Sequence, residues 1–63
     1  MTEEQVKLIN DVVSSVACTA IDPSISTSKM KIHLKNNLRV PSEVIDHCAT
    51  IVGIIKTEIE FNK

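Results

Sequence analysis

Two ridges of aliphatic residues constrain what this 63-residue chain can become. Val6, Ile9, Val13, Val16 and Ala20 recur at alternating intervals of three and four, and Ile45, Cys48, Val52, Ile55 and Ile59 repeat the pattern. Those intervals place each set on one stripe of an α-helix. Leu8, Val12 and Ala17 widen the first stripe, and Val44, Ala49 and Ile51 widen the second. Each then covers close to half of its helix, more than one facing helix can hide. Val and Ile are also mediocre helix formers, so helices built on them hold through packing.

Local signals set the ends. Thr2 followed by Gln5 makes a capping box, with Glu3 and Glu4 against the positive end of the helix dipole. Asp22-Pro23 stops this helix, since Pro lacks the donor that would continue it. Pro41 or Ser42 opens the last helix, Pro at its first position or Ser as its cap. Gly53 lies off its apolar arc, and Ile54 and Phe61 project from its polar side. Both are candidate partner contacts.

The stretch KMKIHLKNNLRVPSEVI, 29–45, reads two ways. Met30, Ile32 and Leu34 alternate with basic residues as a strand does, so 29–35 could be one. As a helix it aligns Met30, Leu34 and Leu38 four residues apart. The helix is preferred: Lys35-Asn36-Asn37 suits strands poorly, and a lone strand needs a mate. Its start falls between Ser24 and Ser28, whose hydroxyls can all cap. The expectation is an all-α single domain over 1–63, a small three-helix bundle with helices near 2–21, 26–38 and 42–61.

A chain this short buries only about 60% of the surface its unfolded form exposes. Disulfides, metals or partner subunits usually supply the rest. Cys18 and Cys48 stand thirty residues apart, and the acidic start MTEEQ is no secretory signal, so two free thiols in the cytoplasm are expected. No run approaches the roughly 18 apolar residues that span a bilayer. Association remains. We expect a homodimer in which Val6, Ile9, Val13, Val16, Ile45, Val52, Ile55 and Ile59 supply the self-association surface.

Function classes narrow less sharply. Lys29, Lys31, Lys35 and Arg39 stand in one window without an acid, with His33 among them. They could steer an acidic protein partner or approach phosphates. Leu34, Leu38, Val40, Ile45 and Cys48 fit a helix-turn-helix lattice with 42–50 as recognition helix. Against it, Glu43 and Asp46 open that helix, Lys35 stands where a small residue is wanted, and Arg39 replaces the usual turn glycine. Cys18, His33, His47 and Cys48 offer metal-binding atoms without paired ligand spacing. With one Gly and no nucleophile or phosphate motif, the sequence points to no enzyme, no cofactor and no small-molecule substrate. Ser24, Ser26, Thr27 and Ser28 read as capping and turning hydroxyls that phosphorylation could also use. The remaining expectation is a small regulator or adaptor acting through helix-mediated contact with another protein.

Overall fold

The computed structural model describes residues 1–62 and holds three helices in sequence: α1 (Glu3–Ile21), α2 (Thr27–Asn36) and α3 (Ser42–Phe61). No strand occurs among the described residues. The ambiguous middle stretch is helical. Ser26 caps α2 by accepting from the Lys29 amide at 3.1 Å, and Met30 and Leu34 turn inward together.

Thr2 caps α1 as its sequence suggests. Its amide donates to Gln5 Oε1 at 2.9 Å, and the Gln5 amide returns a bond to Thr2 Oγ1 at 3.2 Å. Both halves of the capping box are therefore closed. At the far end Asp22 leaves the helix, and its Oδ1 accepts from the Ser24 amide and hydroxyl at 2.9 and 2.7 Å. These bonds to the ionised form draw the Asp22 carboxyl below its ordinary value.

Two helix ends differ from the sequence expectation. α2 stops at Asn36, two residues short, so Leu38 sits in the connector. Arg39 takes a left-handed backbone with φ 52°, and the Val40 amide reaches back to the Leu34 carbonyl at 2.9 Å. At α3, Pro41 occupies the cap position with no side-chain bond to give, and Ser42 is already helical. Ser42 is thus not a cap, because the extended Pro41 hands its own carbonyl to the Ile45 amide at 3.0 Å.

α1 and α3 run in one direction and α2 opposes them. Leu8 to Val13 share a depression with Arg39 to Val44 at one end, and Lys56 reaches the α1–α2 connector at the other. The core consists of Met30, Leu34, Val40, Ile45, Cys48 and Val52, with Val12, Val16, Leu38 and Ala49 packed on it. It is centred on α2 and α3, and α1 lies across them. Thr19 is buried beside it, its hydroxyl donating to the Ser15 carbonyl at 2.7 Å. The ten-residue α2 spans only about 15 Å, half the length of its neighbours. The ends of α1 and α3 therefore overhang it, and every residue from Glu3 to Asn10 is exposed.

Candidate functional site

α2 covers one side of the α1–α3 pair and leaves the other bare. It shares one groove with Ser15 and Thr19 of α1 and another with Ser42 and Ile45 of α3. On the side away from α2, Val6, Ile9 and Val13 of α1 stay exposed, Val13 at 59%. Val44, Ile51, Ile55 and Ile59 of α3 do likewise, Ile51 at 48%. Successive positions in each set lie three, four or seven residues apart, so each forms a ridge along its helix. At one end the ridges meet in an open apolar depression of about 290 Å³, lined by Leu8, Ile9, Val12, Val13, Val40, Pro41 and Val44, with Arg39.

Of the eight side chains expected to face a second chain, five lie on this flank: Val6, Ile9, Val13, Ile55 and Ile59. Val16 is half-buried against the core. Ile45 and Val52 are corrected outright, for both pack in one cluster with Met30 and Leu34, and Val52 has no exposed surface. In their place the flank exposes Val44 and Ile51, read from the sequence only as widening the stripe. Their seven-residue separation was the available signal. Ile21, 73% exposed at the end of α1, had no such signal and was missed.

The basic run does not form one patch. Lys29 lines the α1–α2 groove with His33, Lys31 and Lys35 line the α2–α3 groove, and Arg39 lies by the α1–α3 depression. A helix turns about 100° per residue, so alternate lysines on α2 diverge to its two sides. Lys31 and Lys35 also share their groove with Asp46. Any field the run projects is weaker and broader than its spacing in sequence suggests.

The remaining candidates are scattered. Cys18 is exposed on the α1–α2 groove with His33, whereas Cys48 is buried in the core and His47 is exposed on α3. Both thiols are free. Among the described residues no three His, Cys, Asp or Glu side chains are grouped to hold a metal. Ile54 and Phe61 project outward as expected, 59% and 86% exposed. Among the described residues no helix is long and apolar enough to cross a membrane.

Comparison with protein-family models, with curated proteins and with solved structures yields no match for this chain.

Proposed function

We propose that this protein is a small cytoplasmic regulator or adaptor that works by contact, binding another protein through its helices and altering that protein's activity or assembly. The observation that carries this reading is the aliphatic flank between α1 and α3, left uncovered in a chain with few other resources. Exposed apolar surface that is contiguous and bordered by polar residues marks an interaction site. Two free cysteines, one exposed, suit a reducing compartment. Beyond the flank, Phe61 offers an aromatic anchor near the end of α3, and Lys31 and Lys35 favour an acidic partner.

Affinity capture from the source cell tests this reading, comparing the wild-type chain with Val13→Asp/Ile51→Glu on the flank, and with Phe61→Ser and Lys31→Glu/Lys35→Glu off it. Each variant keeps its helical spectrum, because each alters an exposed side chain. A specific protein held by the wild type and lost from the flank variant supports the reading, and its loss from either of the others adds that side chain to the contact. Identical sets of captured proteins from the wild type and the flank variant reject it.

A second reading has one specific observation in its favour. Leu34, Val40, Ile45 and Cys48 are buried together and Leu38 packs on them, which is the lattice a helix-turn-helix requires. Glu43 and Asp46 are exposed on the first turns of α3, where a recognition helix meets phosphates and base edges. They weaken the DNA reading, as does the dispersal of the cations. Binding to duplex DNA at two salt concentrations decides the matter. Affinity that falls steeply with salt and is removed by Lys35→Ala/Arg39→Ala establishes it, and no binding at low salt dismisses it.

A further inference from the structure

We draw no further inference here: the strongest candidate, the exposed aliphatic flank between α1 and α3, carries nothing beyond its reading as a contact surface, because nothing in the structure shows what covers it.

Discussion

The Lys56 ammonium donates a hydrogen bond of 2.8 Å to the backbone carbonyl of Ile25, joining the second half of α3 to the α1–α2 connector. Its stem follows Val52 by one turn, along the edge of the core. The connector is knit from within as well: the Ile25 amide donates to the Asp22 carbonyl at 3.1 Å, and the Asp22 side chain holds Ser24. One lysine thus fixes where α1 ends and α2 begins relative to α3.

Replacing that lysine isolates the bond. Lys56→Met keeps the stem and removes the charged donor, leaving a half-buried carbonyl without its partner. The expected loss is about 1 kcal/mol, read as a lower urea midpoint with an unchanged slope. Lys29→Met, a lysine exposed on α2, serves as control and shifts stability by no more than about 0.5 kcal/mol. Equal effects from the two would show that the tie contributes nothing specific.

Arg39 holds a backbone conformation that suits glycine, with φ 52°. A side chain there places Cβ against the following carbonyl at a cost of about 1 kcal/mol. The turn keeps it because Val40 must reach both the core and the Leu34 carbonyl. Arg39→Gly is expected to stabilise the fold by up to about 1 kcal/mol, less whatever the freer unfolded chain takes back. Arg39→Val, β-branched and averse to this region, is expected to destabilise it. Denaturant unfolding that ranks Val above Gly would contradict the strain account.

The helices were legible in the sequence because several local signals agreed. In α1 the capping box, the acidic first turn and the three-four spacing all name one start and one face. In α2 the strand reading failed on Lys35-Asn36-Asn37, and Met30 and Leu34 are buried as a helix requires. Which part of each stripe would be covered was not legible. That depends on helix lengths in three dimensions: a ten-residue α2 can bury Ile45 and Val52 but cannot reach Val6 or Ile59. The helical period by itself divides Lys29 from Lys31, but which groove each lines depends on how the connector rotates α2. The sequence marks the left-handed Arg39 only by placing it where a turn glycine is usual, and it marks Lys56 only by its place one turn after Val52.

Gly53 provides a test of helix propensity uncomplicated by packing. It lies inside α3, is exposed, and a Cβ added to it meets nothing within 4 Å. Gly53→Ala is therefore expected to raise stability by about 1 kcal/mol. The Thr57 hydroxyl, which donates to the Gly53 carbonyl at 2.8 Å, is undisturbed because that carbonyl remains. A higher thermal midpoint with the same association behaviour is the expected result. A neutral or lower midpoint would mean that α3 draws nothing from a stiffer backbone at this point.

Asp22 should give the fold a recognisable response to acid. Its carboxyl is lowered from 3.8, first by the Ser24 hydroxyl, then by the Ser24 amide, with the Lys56 charge adding a smaller contribution. A carboxylate whose folded value is depressed lends stability that is complete above its unfolded value and is lost as pH falls through the folded one. The loss attributable to Asp22 therefore begins as pH drops toward 3.8 and continues below it. Asp22→Asn retains an oxygen that can accept from Ser24 but has no proton to take up. Thermal midpoints of the two proteins should run parallel near neutrality and converge as the solution is acidified below about pH 4. Other carboxylates contribute equally to both curves, so the difference between them isolates this turn. A constant separation down to about pH 2 would show that the Ser24 bonds do not favour the ionised form.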